Sequence, residues 1–573
     1  MPDPVTTAAW RWCDAALLAF AALAVIGSGL GLRDPWPADE PRFVLLARDM
    51  IASGNWLIPV IGGDLYPDKP PLFFWSLAAS YALFGSLRWS FLLPALVSAV
   101  ATLWLVYDLA RRLSGRYAAI ATAITLLVTL QFTTTMRGAQ IDPLLCALMT
   151  LSVYALSRHL IFGPAWGWYF VGGVAAGLGV ITKGVGFLPI LMVFPYIWLR
   201  RRGFRGLYAG TGNVGLWLLA PLGMLLAITS WLVPVLVAAM VSPDIAAYRD
   251  EILFKQTVGR YASAWHHNRP WYYFLVEVVP GLWLPFSLLL FWLVPAWYRS
   301  WCDGNGRVAL LLSYLLICFL FFSLSSGKRG VYLLPLLPVL AVIAAAPLET
   351  VLLRRALSRW SLALAGILVA AMLVLFAAAQ LQLPMLQDVL GEAGIANTRP
   401  LLYFGITALL AVALLSRSRG YLAWPVVFAM FCVMFGIGIA PLMNGERSGR
   451  DFVAGALRAI PDNYDIGLVA YKEQFLLYLD RPAWNFGHRR WREGNAEADD
   501  AAAWLAAGQR RLLLVPDSLL RPCFPGARLV RAGHSASESW WWVTGVASAP
   551  CVARGSLTHA LYYDPAKPGH RAP

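Results

Sequence analysis

Charge is scarce in this chain. Asp, Glu, Lys and Arg make up 13% of its 573 residues, about half of the roughly 25% with which a soluble domain covers its surface. With 59% hydrophobic residues, that shortage excludes a water-soluble globular protein and places most of the chain in a bilayer. Acidic residues are the scarcer sign, 31 against 46 basic ones. In a soluble protein the resulting net charge of +15 would suggest nucleic acid. Here the basic residues fall in short clusters between apolar runs, the pattern of orientation signals in a polytopic membrane protein. RNA- and DNA-binding motifs are absent, so nucleic acid is excluded as a partner. The chain also lacks internal repeats and low-complexity linkers, and the five cysteines ahead of the tail show no metal-ligand spacing.

A span needs about 20 apolar residues. About thirteen candidates lie near 14–32, 89–111, 117–135, 141–158, 167–182, 185–199, 211–238, 272–297, 308–325, 332–348, 358–380, 400–416 and 421–441. The first has only Arg11 ahead of it and no clear small-x-small cleavage site, so it reads as an uncleaved span. Basic clusters follow the second span (Arg111, Arg112, Arg116), the sixth (Arg200, Arg201, Arg202, Arg205), the eighth (Arg299, Arg307), the tenth (Arg354, Arg355, Arg359) and the twelfth (Arg417, Arg419). All follow even-numbered spans, which places the N-terminus in the cytoplasm and the tail outside. The apolar stretch 72–86 would break this alternation as a span and is assigned to an interfacial helix.

The expected fold is a polytopic α-helical membrane protein. A membrane domain covers 1–441, with outer loops 33–88 and 239–271, and a smaller outer α/β domain covers 442–573. In the tail, helix-like stretches (Arg450–Ile460, Ala501–Gly508) alternate with strand-like runs (Ile466–Ala470, Arg511–Val515, Trp540–Val546). Cys523 and Cys551 are its only cysteines, and an oxidising outer compartment permits a disulfide between them.

The outer segments hold the chemistry. In PWPADEPRF, 35–43, Asp39 and Glu40 precede a helical stretch, where Asp39 suits an N-cap with Pro41 in the first turn. Phe43, Leu46 and Met50 form one stripe of that helix, as in a helix lying in the interface with one face toward lipid; Arg42 and Asp49 lie elsewhere on it. Asp68-Lys69-Pro70-Pro71 follows, with a solvated turn as its plain reading. Asp142 opens a span before Pro143, again an N-cap position, and Thr182-Lys183-Gly184 closes another. The loop 239–271 carries Arg260 and His266-His267, and the turn 325–338 carries Lys328, Arg329 and Tyr332. Basic residues outside run against the positive-inside trend; an anionic ligand such as a lipid phosphate accounts for them through charge-assisted hydrogen bonds. A proton- or ion-coupled transporter would keep ionisable groups near mid-membrane, where the spans carry few. An enzyme acting at the interface on a lipid-linked substrate fits better.

This ordered set resembles the C-type integral-membrane glycosyltransferases: an Asp-Glu pair, a Lys-Pro about 30 residues on, an Asp-Pro opening a span, a Thr-Lys-Gly, and a Gly-Lys turn ending in Tyr. Within them it is most similar to the protein-O-mannosyltransferase-related branch and its lipid A aminoarabinose transferases. The resemblance covers about 1–440. It implies a multi-pass bacterial inner-membrane enzyme, read as a monomer, that moves 4-amino-4-deoxy-L-arabinose from undecaprenyl phosphate to lipid A phosphates in the periplasm, a modification tied to polymyxin resistance. It implies catalytic roles for Asp39, Asp142 and Glu40, and carrier-phosphate binding by Lys69, Arg260 and Tyr332. Further substrate contacts fall to Arg42, Lys183 and Lys328. Asp68 and His267 stand where relatives place a glutamate and a histidine that can meet a zinc ion, and Phe43 stands where relatives have a tyrosine. A protein O-mannosyltransferase or another polyprenyl-phosphate sugar transferase and, from another class, a lipid flippase are the competing readings. Substituting Asp39 separates them, because a flippase has no evident use for that carboxylate.

Overall fold

A computed structural model describes residues 4–210, 214–253, 269–352, 354–487 and 495–566. Among these, seven helices are long and apolar enough to cross a membrane: Leu87–Ser114, Ile141–Leu160, Val214–Ala239, Gly306–Leu324, Arg355–Gln380, Arg399–Ser416 and Gly420–Arg458. Two bent pairs, Arg116–Leu127 with Leu130–Met136 and Phe274–Leu282 with Phe286–Cys302, raise the number to nine. Apart from the 18-residue helix Trp166–Lys183, the remaining apolar runs form shorter pieces, and the sequence shows why. The first helix ends at Val25, where Gly29 and Gly31 take positive φ. The run 185–199 is a 3-10 turn containing Pro189 that leads into Val193–Arg201.

The segments of the loop 33–88 fold as helix α1 (Glu40–Ser53), a short antiparallel pair β1 (Val60–Ile61) and β2 (Asp64–Leu65), and helix α2 (Leu72–Phe84). At 13 residues α2 is about 20 Å long, too short for a bilayer core of about 30 Å. Helix α3 (Ile141–Leu160) packs on α4 (Trp166–Lys183), which packs on α5 (Leu219–Ala239). Gly173 makes the second approach possible: a Cβ there would sit 1.9 Å from the Ala220 carbonyl oxygen. This is the close small-residue packing by which membrane helices associate.

The tail forms one six-stranded sheet in the order β6-β7-β5-β3-β4-β8. Its strands are β3 (Asp465–Leu468), β4 (Ala483–Asn485), β5 (Arg511–Pro516), β6 (Arg528–Ser535), β7 (Glu538–Thr544) and β8 (Leu561–Tyr563). The three runs legible in the sequence became β3, β5 and β7. β3 pairs in parallel with β4 and β5, and the other pairings are antiparallel. Cys523 and Cys551 are disulfide-bonded. Helix α6 (Glu473–Tyr478) follows β3 and packs on α1.

That packing corrects the expectation that α1 lays an apolar stripe on lipid. Phe43, Leu46 and Met50 are all buried, in one core with Tyr66, Phe73 and Phe74 of the loop and Phe452, Phe475, Leu476 and Trp540 of the tail. The tail supplies the apolar surface that lipid was expected to supply, so loop and tail share a single core.

Candidate active site

Asp39 stands at the N-cap of α1, but its side chain makes no capping hydrogen bond, so the capping role expected of it is not the one it plays. Its carboxylate lies 3.6 Å from a terminal nitrogen of Arg42, one helical turn on. Arg42 also donates through Nε to Glu473 Oε1 at 2.7 Å, and its Nη2 lies 2.6 Å from the same oxygen. Burial works against the Arg42 charge, but Glu473, Tyr66 and Asp39 outweigh it and raise the pKa above the ordinary value. Tyr66, 2% exposed, is hydrogen-bonded to Arg42; burial first, then the Asp68 charge, pushes its hydroxyl up, so it stays protonated. Asp68 and Lys69 follow within three residues, half-buried, with Lys69 Nζ 3.1 Å from the Asp68 carbonyl.

Glu40, adjacent in sequence, has a different occupation. Oε2 accepts from Arg33 at 2.6 Å and from the Trp36 amide at 2.9 Å. Oε1 accepts from Arg33 at 2.7 Å and from the Ala139 amide at 3.0 Å. Arg33 lies over the rings of Trp36 and Phe91 and donates to the Arg137 carbonyl. Glu40 therefore ties the start of α1 to the 137–139 loop, and that loop leads directly into Asp142.

Asp142, unlike Asp39, does not occupy the N-cap position. It is the second residue of α3, after Gln140 at the cap, and its carboxylate accepts from Lys183 Nζ at 2.5 Å. The Lys183 ammonium also lies 4.7 Å from the centre of the Tyr332 ring, within cation–π range. Tyr332 sits in a 3-10 turn, Gly330–Leu333, held by Gln131 Nε2 on the Gly330 carbonyl at 2.6 Å; Trp283 donates in turn to Gln131. Lys328, on the same turn, is 5% exposed. It donates to the carbonyls of Arg269 and Ser325, and burial lowers its pKa.

The predicted residues thus form two groups, Asp39–Arg42 with Asp68 and Lys69, and Asp142–Lys183–Tyr332, joined through Glu40. Arg260 and His267 lie outside the described residues. Around Asp68 the described residues do not bring three His, Cys, Asp or Glu ligand atoms together; the group that meets that test is Asp499 with the two disulfide cysteines. Sequence reasoning missed Tyr66, Arg33 and Glu473. Tyr66 stands two residues before Asp68, in a segment already singled out, whereas nothing in the sequence ties Glu473 to Arg42.

The fold is that of a polytopic α-helical membrane protein. It is shared with the crystal structure of ArnT from Cupriavidus metallidurans bound to undecaprenyl phosphate, at a TM-score of 0.73 and 20% identity, covering 94% of this chain and 98% of that one. By sequence, the family described as Dolichyl-phosphate-mannose-protein mannosyltransferase matches residues 68–243, a stretch holding Asp68, Lys69, Asp142 and Lys183. The chain is also similar to the undecaprenyl phosphate-alpha-4-amino-4-deoxy-L-arabinose arabinosyl transferase 1 of Pseudomonas fluorescens, 31% identical over 59% of this chain and 58% of that protein. The Pseudomonas aeruginosa transferase of the same description is 30% identical over 58% of each chain. The chain therefore spans under two thirds of the length of these relatives.

Proposed function

We propose that the protein is a glycosyltransferase moving 4-amino-4-deoxy-L-arabinose from undecaprenyl phosphate to lipid A phosphates. The observation that carries this reading is the likeness, over 360 residues, to proteins named for that donor. Asp39 orients the sugar, and Lys69, Arg260 and Tyr332 hold the carrier phosphate. Lys183, braced by Asp142, holds the Tyr332 ring toward that phosphate. As the sugar leaves, negative charge grows on the carrier phosphate and the cations stabilise it in the transition state. The acceptor, a phosphate monoester with a second pKa near 6, arrives largely ionised, so Asp39 has little proton to remove. The pH–rate profile should accordingly vary by no more than about twofold between about pH 6 and 8, following the acceptor's own ionisation.

In this reading thirteen segments cross the bacterial inner membrane, with the N-terminus cytoplasmic and the tail, 442–573, periplasmic; the protein acts as a monomer. Asp68 and His267 are the residues that would meet a divalent metal, and no step is routed through one.

The family match over 68–243 favours a second reading, a protein O-mannosyltransferase, whose hydroxyl acceptor would need Asp39 as general base. Mass spectrometry of lipid A from cells with and without the protein decides between them. The expected gain is one aminopentose per modified phosphate; unchanged lipid A with a newly glycosylated protein selects the second reading. Asp39→Asn should abolish the gain while carrier binding persists, whereas unimpaired lipid delivery in that variant would point to a flippase.

A further inference from the structure

A carboxylate of the tail domain reaches the side chain that faces Asp39. Glu473 opens α6, the first helix after β3, and its side chain is only 14% exposed. The Arg42 guanidinium spans three groups: Glu473 at 2.6 Å, Asp39 at 3.6 Å and the Tyr66 hydroxyl. Both nitrogens directed at the tail meet one oxygen, Glu473 Oε1. Two further contacts press this part of the tail onto the loop. Asn485 Nδ2 donates to the Gly62 carbonyl at 2.8 Å, and a Cβ at Gly62 would sit 2.9 Å from the Tyr471 hydroxyl. The approach is close enough that Gly62, at φ 57°, is the residue type that fits.

We infer that Glu473 is a positioning residue of the transfer reaction: it fixes the Arg42 fork, and thereby sets how much of that cation is left for Asp39. The tail domain thus completes the site. This rests on the transferase reading above. An arginine has five donors in a rigid plane. With Glu473 in place the fork faces the tail and meets Asp39 only at 3.6 Å. Without it, the nearest carboxylate to the freed fork is Asp39, which Arg42 would then hold against the helix and away from the sugar. Carrier-phosphate binding, assigned to Lys69, Arg260 and Tyr332, does not pass through this contact.

The test uses the purified full chain in detergent with undecaprenyl-phosphate aminoarabinose as donor and lipid A as acceptor. Glu473→Gln is isosteric and is expected to lower kcat about tenfold, with KM for the donor within about twofold. Tyr563→Phe, which removes a hydroxyl bonded to Asp49 at the same loop–tail contact, reports docking alone and should keep kcat near wild type. A wild-type kcat in Glu473→Gln overturns the inference, as does an equal loss in Tyr563→Phe. Should Glu473→Gln not fold, Glu473→Asp withdraws the carboxylate by one methylene and should lower kcat; a wild-type kcat there overturns it as well. If the wild-type protein transfers no sugar to lipid A, the transferase reading fails instead, and the two failures are told apart.

Discussion

Lys183 reaches from the end of α4 to Asp142 at the start of α3 across 2.5 Å, and its ammonium also meets the Tyr332 ring, 4.7 Å from the ring centre. One ion pair thus holds together three segments far apart in sequence.

Breaking that pair from one side should be costly. Lys183→Met leaves the Asp142 carboxylate, 9% exposed, without its cation. Fully buried pairs lose about 3–5 kcal/mol this way; with the Lys183 side chain 20% exposed, about 2 kcal/mol is expected. The double variant Lys183→Met/Asp142→Asn should recover most of the stability but not the turnover. Unfolding midpoints and initial rates of the three variants check this.

Glu40→Gln should behave differently from Asp39→Asn. All four bonds to Glu40 are internal, and its loss leaves Arg33, 8% exposed, without its carboxylate. A stability loss of about 3 kcal/mol is expected, seen as lower folded yield. Per folded molecule, turnover should fall far less than in Asp39→Asn, which size-exclusion recovery together with rate per folded molecule will show.

The loop–tail contact should carry a pH signature. Asp49 meets Tyr563 at 3.1 Å and Arg48 at 3.3 Å. Burial pushes its carboxyl up to about 6, although Arg48 and Tyr563 pull the other way. The folded chain therefore holds this proton more tightly than the unfolded chain, where Asp titrates near 3.9. The resulting stability is complete below about pH 4 and is lost as pH rises through about 6, by at most about 3 kcal/mol. Subtracting the melting curve of Asp49→Asn at each pH isolates the effect, and the wild-type advantage should shrink between pH 4.5 and 7.5.

Reduction should loosen the tail. The Cys523–Cys551 bond closes a loop at a sequence separation of 28, worth about 3.5 kcal/mol by chain entropy. Dithiothreitol, or Cys523→Ser with Cys551→Ser, should lower the unfolding midpoint, while reduction should leave a Cys146→Ser control variant no different from wild type.

The membrane class, the shortness of α2 and the charged residues of the candidate site were legible because each rests on a local signal: a run of apolar residues, a proline, a charge where charge is disfavoured. The partners were not. Asp39 and Asp142 both read as helix caps, since capping is a local rule, yet their carboxylates answer to Arg42 and Lys183, which only the tertiary fold brings near. The stripe of α1 was read correctly as apolar and wrongly as facing lipid, because hydrophobic periodicity reports that a face is buried and not what buries it. β4 and β8, three residues each, are too short to show a period at all.

The shared core of loop and tail also sets an order of events during synthesis. Phe43, Leu46 and Met50 are made early, but the tail residues of their core start to arrive only some 400 residues later with Phe452, and Trp540 comes nearly 500 later. At about 5–20 residues per second, α1 waits on the order of 20 to 80 seconds for its other half. Contacts of such long sequence separation form late and leave apolar surface open meanwhile. A ribosome stalled or a message cut short before the tail would leave a membrane domain whose first loop is unfinished, a natural target for quality-control proteases.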